Sequence, residues 1–357
     1  MKANLAWERM MNRRIVILTE GHTNPHTAKT ASCMLRYRGE EVVALLDSTQ
    51  AGRNSGDLLG VGRFPIISNL NEAPAANTLL LGIAPPGGKI PALWRPIIRQ
   101  AIERGMHIWS GLHDFVADDP EFSQLAADHG SLLIDVRKND EHDIARRRGL
   151  RSDCLRVHTV GHDCSIGKMV ASVEISMGLK RRGRNAKFIA TGQTGIMVEG
   201  DGCPIDCVVA DFVAGAAEKL VLKNQHHEIL VVEGQGSLVH PSYSGVTLGL
   251  LHGCAPHALI LVYEIGRTVV TGVEHVSIPS LSRIKQMNEI MSNANFRCEV
   301  IGIAMNSRKL NDADAESERQ RTQDEFGLPV CDVIRHGPDE LVDAVLSFHA
   351  RDDWKTW

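Results

Sequence analysis

Short apolar runs alternate with amphipathic stretches along the whole chain. RIVILT (14–19), VVALLD (42–47), TLLLGIA (78–84), HIWSG (107–111) and SLLIDV (131–136) have the length and composition of buried strands. Between them, 92–104 and 121–129 read as helices. A further helix is expected from about Pro25, because proline suits a first helical turn. A second series starts near Leu155. Its strands are LRVHTVG (155–161), AKFIATG (186–192), EILVVEG (228–234), HALILVYE (257–264) and EVIGIAMN (299–306). Its helices are expected over 168–182, 207–222, 280–292, 313–326 and 338–349. Strands that alternate with helices must pair in parallel, since the helix is the crossover between them. The polar stretch RKNDEHDIARRRGLRSD (137–153) separates the two series and reads as a solvated connection. The expected domains are therefore 1–150 and 151–357.

Composition narrows the function. The 357 residues are 43% hydrophobic and 23% charged, with a net charge of −4. That balance predicts no nucleic-acid partner and no anionic membrane surface. No apolar run reaches membrane-spanning length. MKANLAWERMMNRR has basic residues but no apolar stretch behind them to make a signal peptide. A cytoplasmic location and a homo-oligomer are expected. The eight cysteines form no C-x-x-C pair. Cys203 and Cys207 stand four apart with no further pair of ligands at a recognisable spacing, so no structural metal is expected.

One stretch carries the chemistry. TVGHDCSIGKMV (159–170) joins an apolar strand to a helix through a glycine-flanked turn ending in lysine. Successive backbone N–H groups in such a turn make an anion nest, and the following helix N-terminus adds partial positive charge. Lys168 adds a full charge. The predicted phosphate cradle is Gly161, His162, Asp163, Cys164, Ser165, Ile166, Gly167, Lys168 and Met169. Five residues separate the two glycines, one more than in the common P-loop, and Met169 replaces the usual Ser or Thr. That hydroxyl normally binds Mg²⁺, and a thioether is a poor ligand for so hard a cation.

GHDCSIGK resembles the longer P-loop of dethiobiotin synthetase and its relatives, and LVVEGQGSL (230–238) resembles their V-E-G-x-G strand end. In that group the glutamate helps hold magnesium, which would give Glu233 that role. The first half, whose glycines match no dinucleotide fingerprint, reads as Rossmann-like. The fold class is thus α/β, with a Rossmann-like N-terminal domain followed by a P-loop NTPase-like parallel-sheet domain.

At whole-chain level the sequence resembles a two-domain family long known only as a domain of unknown function. The carrying stretches include LTEGHTNPHTAKTASCMLRY (18–37), GIAPPGGKIP (82–91), VGHDCSIGKM (160–169), TGQTG (191–195), VVADFVAGAAE (208–218) and VEGQGSLVHPSYSGVTLGLLHG (232–253). Characterised members are similar to D-glutamate N-acetyltransferases. The resemblance implies transfer of acetyl from acetyl-CoA to D-glutamate or a related D-amino acid. It also makes Met169 a family trait. Coenzyme A carries a diphosphate and a ribose 3′-phosphate, which a P-loop can hold without chemistry at phosphorus. The alternatives are an ATP- or GTP-dependent ligase or kinase acting on a small carboxylate with Mg²⁺, or a nucleotide-gated binding protein.

Amine acetylation needs a base and donors for a tetrahedral oxyanion. Glu233, at a strand end, is the first candidate base, followed by Asp163 within the loop and His240 in HPSYSG. Tyr243 is a candidate oxyanion donor and Arg267 a candidate grip on a substrate carboxylate. Gln193 and Asp211 complete the expected substrate contacts. If Met169 marks a loop that holds phosphates without a catalytic metal, EDTA will leave acetyl transfer intact. Complete loss on chelation, restored by Mg²⁺, would return the loop to metal-nucleotide chemistry.

Overall fold

A computed structural model describes residues 12–83, 88–294 and 296–355. The chain divides into two compact units. One contains the residues up to Lys138 together with Ile196–Gly200, and the other contains Asn139–Gly195 and the residues from Asp201 onward.

In the first unit β1 (Ile15–Leu18), β2 (Val42–Leu46), β3 (Ile66–Ile67), β4 (Thr78–Leu81), β5 (His107–Ser110) and β6 (Leu133–Asp135) form one sheet. Its order is β3-β2-β1-β4-β5-β6 with every pair parallel, the Rossmann order. β1 and β4 are buried at every position, which is why they read as continuous apolar runs. α1 (Lys29–Tyr37), α2 (Ser55–Leu59), α3 (Arg95–Glu103) and α4 (Pro120–His129) accompany the sheet.

The helix expected from Pro25 starts only at Lys29. The Asn24 side chain accepts from the N–H groups of His26 and Thr27, and this local turn competes with helix at Pro25. β3 and α2 are too short to leave a periodic signal. Of the GIAPPGGKIP loop, residues 84–87 lie outside the described residues. Asp47 directly follows β2, where dinucleotide folds place a ribose ligand. Here both its oxygens are engaged by Thr23 and Thr49.

In the second unit β7 (Leu155–Gly161), β8 (Ala186–Ile189), β9 (Ile229–Val232) and β10 (Ala258–Glu264) precede a small antiparallel hairpin, β11 (Val269–Val270) and β12 (Val273–Ser277). β13 (Glu299–Asn306) and β14 (Val330–Cys331) follow. The six parallel strands run β14-β13-β10-β7-β9-β8. Alternate side chains serve two cores. Ile229, Val231, Ala258, Ile260 and Val262 face the cluster that includes Ile166, Ala171 and Ile175. Leu230 and Val232, and then Leu259, Leu261 and Tyr263, face clusters on the opposite side. The helices are α5 (Lys168–Arg181), α6 (Gln193–Glu199, of which the part from Ile196 is counted with the first unit), α7 (Val213–Asn224), α8 (Ser244–Cys254), α9 (Leu281–Asn293), α10 (Asp312–Phe326) and α11 (Asp339–Ala350).

Three expectations change in this unit. The helix expected over 207–222 begins at Val213, after the short turns Ile205–Cys207 and Ala210–Phe212. Asp211 lies in the second turn and is exposed. TGQTG runs into α6, and the last two residues of HPSYSG open α8, neither of which was expected as helix. The charged connection is not free in solvent along its backbone. The buried Glu218 carboxylate accepts from the N–H groups of Arg146 and Arg147, at 2.8 and 2.5 Å, and the Arg147 guanidinium lies 4.5 Å over Phe296. At Gly215 of α7 a Cβ would stand 1.8 Å from the carbonyl oxygen of Asp143. Gly215→Ala is therefore expected to lower stability by about 1–3 kcal/mol, read from urea denaturation. An unchanged midpoint would mean that this segment does not pack on α7.

Candidate anion site and its carboxylates

β7 lies between β9 and β10, and residues 162–167 leave its C-terminal end, where open parallel sheets place their ligands. The loop turns through Ser165 at φ +56° and Gly167 at φ +115°, the latter a conformation that side chains rarely adopt. Lys168 opens α5, whose first turn holds no acidic residue, so its positive end is not locally neutralised. Ile166 belongs to the core through its side chain, and its carbonyl accepts from Asn306 at 2.9 Å. Ile166 can therefore meet a ligand only through its backbone. Ser165 is exposed, while Cys164 and Met169 are half-buried.

Lys168 is buried, and its Nζ donates to the carbonyl of Asp163 at 2.6 Å. Burial pulls its pKa down to about 8. Gly234 lets the β9 loop lie against the lysine stem. A Cβ there would stand 3.0 Å from Lys168 Cδ and 1.8 Å from the carbonyl oxygen of Thr159. The Gly234 N–H instead donates to Thr159 Oγ1 at 2.9 Å, fastening the glutamate-bearing loop to β7.

Glu233 is buried, and one of its carboxylate oxygens accepts from the N–H groups of Thr191 and Gly192 at 2.8 and 3.0 Å. Burial raises its pKa to about 7, against the opposing effect of those two donors. Gln193, half-buried, begins α6 directly after them.

Asp163 is also buried but differently placed. Its carboxylate accepts from Arg267 at 2.7 Å, from the Thr271 N–H and hydroxyl at 3.0 and 2.8 Å, and from the Cys164 N–H at 2.7 Å. Burial alone would raise its pKa, but these donors outweigh it and hold the group below the usual carboxylate value. This revises the expectation of a catalytic Asp163, since a carboxylate so committed is a weak base. Burial also raises the Cys164 thiol, with Lys168 opposing.

The same geometry revises two other expectations. Arg267 donates to Asp163, Glu264, Thr271 and the Cys164 carbonyl, so its fork is engaged within the protein and is not presented to a substrate carboxylate. His240 is buried with both ring nitrogens near backbone groups: the Ser242 N–H donates to Nδ1 at 3.1 Å, and Nε2 lies 3.3 Å from the Thr271 carbonyl. Those contacts fix the ring within the protein and leave neither nitrogen turned toward a substrate. Tyr243 is half-exposed, with its ring centroid 4.4 Å from that of His240. His162 accepts the Glu264 N–H at 2.9 Å, and burial lowers its pKa to about 4, so it is neutral.

Glu264, Thr271, Asn306, Arg308 and Lys309 complete the site and were missed from sequence. Glu264 had a readable signal, since it ends an apolar strand as Glu233 does. Asn306 ends β13, and the other three sit in connections whose placement depends on the sheet order.

A parallel sheet with a strand–loop–lysine–helix cradle between its inner strands defines a P-loop domain, here in one chain with a Rossmann-like unit. Residues 143–342 match the family model described as a domain of unknown function (DUF1611_C) P-loop domain, and residues 48–139 match its Rossmann-like N-terminal partner. The chain belongs to this DUF1611 family. It is 39% identical over 325 residues to a D-glutamate N-acetyltransferase of Tritonibacter scottomollicae, covering 89% of this chain and 94% of that protein. It is also 39% identical over 268 residues to a D-glutamate N-acetyltransferase of a Pseudoalteromonas species, covering 75% and 80%. The crystal structure of a DUF1611 family protein from Anabaena variabilis superposes with a TM-score of 0.88 at 39% identity, over 94% of this chain and all of that one. Among the described residues no helix is long and apolar enough to cross a membrane.

Lys168→Ala is expected to weaken binding of CoA or ATP about ten- to hundredfold, the effect of losing one charge-assisted contact, with an unchanged circular dichroism spectrum. The lysine of the free protein is charged below its pKa of about 8 and neutral above it. Wild-type affinity should therefore fall as pH rises through 8, and the variant should lack that fall. Unchanged affinity for both ligands would remove Lys168 from the anion site.

Proposed function

We propose that this protein is an acetyl-CoA-dependent N-acetyltransferase acting on D-glutamate, with the P-loop holding phosphates of coenzyme A. The observation that carries the reading is Glu233, a buried carboxylate whose pKa of about 7 suits a general base, on a loop fastened beside the phosphate cradle. The relatives that match most of this chain, both named D-glutamate N-acetyltransferase, support the choice of reaction and acceptor. Met169, half-buried where a nucleotide hydrolase has its metal-binding hydroxyl, supports a ligand held by its phosphates without reaction at them.

In this mechanism the acceptor amine attacks the thioester carbonyl of acetyl-CoA. Glu233 takes the ammonium proton, directly or through water. The new C–N bond forms in a tetrahedral oxyanion, which collapses with cleavage of the C–S bond; the remaining surplus proton on nitrogen passes through water to the sulfur, and CoA leaves as the thiol. Thr191 and Gly192 fix the carboxylate through one oxygen. Tyr243, half-exposed beside His240, is the proposed oxyanion donor.

Thiol release from acetyl-CoA is the direct test, run against a panel of D- and L-amino acids with and without Mg-ATP. CoA release with D-glutamate and no ATP is expected. ADP formation dependent on a carboxylate would replace this reading with a ligase or kinase. Glu233→Gln keeps the shape and removes the charge. It is expected to lower kcat by about 10²–10⁴-fold while calorimetry finds CoA binding largely kept. Wild-type kcat/KM should fall as pH drops below 7, because protonation removes the base. A variant within a few-fold of wild type would move the base elsewhere.

A further inference from the structure

Glu264 has a fully buried carboxylate, yet three cations converge on it. Arg267 donates at 2.6 Å, Arg308 at 3.1 and 3.2 Å, and Lys309 stands at 2.7 Å. Arg267 also neutralises Asp163. Two carboxylates thus face three basic side chains, a formal surplus of one positive charge at the C-terminal edge of β10 and β13. Burial would raise the Glu264 carboxyl, but the three cations outweigh it and hold it ionised.

The surplus is on the solvent side. Arg267 is 13% exposed, whereas Arg308 and Lys309 are 36% and 56% exposed while still touching the buried carboxylate. The loop that carries them is fixed at several points. Asn306 donates to the phosphate loop at the Ile166 carbonyl. Ser307 donates through its N–H and hydroxyl to Asp332 at 2.9 and 2.7 Å. Arg335 donates to the carbonyls of Ser307 and Leu310 at 3.3 and 2.8 Å. A loop tied both to the phosphate cradle and to the next strand holds its cations in a fixed position beside that cradle. Free surface lysines and arginines have no such restraint.

We propose that Arg308 and Lys309 form a second anion subsite that binds a further phosphate of the ligand held in the P-loop. Under the function proposed above, on which this inference rests, that group is the ribose 3′-phosphate of coenzyme A. Glu264 then acts as a positioning residue: it orients both cations and lowers the local charge enough for them to sit together without a ligand. Phosphate oxygens complete the surplus positive charge. The subsite distinguishes CoA from ligands that carry only a diphosphate.

The test compares CoA with dephospho-CoA, which lacks only the 3′-phosphate, by calorimetry on the full chain. Wild type is expected to bind CoA about ten- to hundredfold more tightly. Arg308→Gln and Lys309→Gln should each reduce that preference, and the double variant should abolish it. Affinity for dephospho-CoA should stay within about twofold throughout, which also reports an intact fold. Equal wild-type affinity for the two ligands would overturn the inference, as would a preference that survives in the double variant. An effect of the substitutions on KM for D-glutamate, with the preference unchanged, would also overturn it by assigning the cations to the acceptor. Failure of the function itself reads differently: neither CoA nor dephospho-CoA would then bind.

Discussion

A phosphate site that contains buried carboxylates can work only if those carboxylates are neutralised before the ligand arrives. The Asp163–Arg267–Glu264 bridge meets this requirement. Arg267 stands 2.7 Å from one carboxylate and 2.6 Å from the other, and both have no exposed side-chain surface. An uncompensated carboxylate at that depth would be costly through lost hydration and would repel a phosphate entering the loop. With the bridge in place the loop keeps the field of Lys168 and of the α5 N-terminus for the ligand. Thr271 extends the bridge, since its N–H and hydroxyl also serve Asp163 and its carbonyl faces His240. The small hairpin after β10 is thereby joined to the loop after β7.

Glu233 is the counterpart that the bridge makes useful. It occupies the same sheet edge and is buried to a similar degree, but two backbone N–H groups serve it, and among the described residues it forms no ion pair with a guanidinium. The two environments push the carboxyl groups in opposite directions, with Asp163 held low and Glu233 raised to about 7. Separation of this kind is how one site assigns a permanent anion and a proton acceptor from residues of the same chemistry. Lys168 lies between them, with Nζ on the Asp163 carbonyl and its stem against the loop that follows Glu233.

The sequence by itself determined the class of both domains, the parallel strands and the P-loop with its lysine. These are written locally: β9 (ILVV) and β10 up to Tyr263 (ALILVY) are continuous apolar runs because both their faces are buried, and the loop needs Gly167 at a backbone angle that side chains rarely adopt. Glu233 was legible for the same reason, as a carboxylate ending a buried strand. The partners of each charge were decided only by the tertiary structure. Arg267 and Asp163 lie 104 residues apart and meet because β10 pairs with β7. Arg308 and Lys309 reach Glu264 because β13 pairs with β10. Sequence spacing carries no record of strand order, so it left Asp163 a candidate base and Arg267 a candidate substrate grip. The fold resolved both by placing them against each other, because a buried charge takes the nearest opposite charge that the sheet brings within hydrogen-bonding distance.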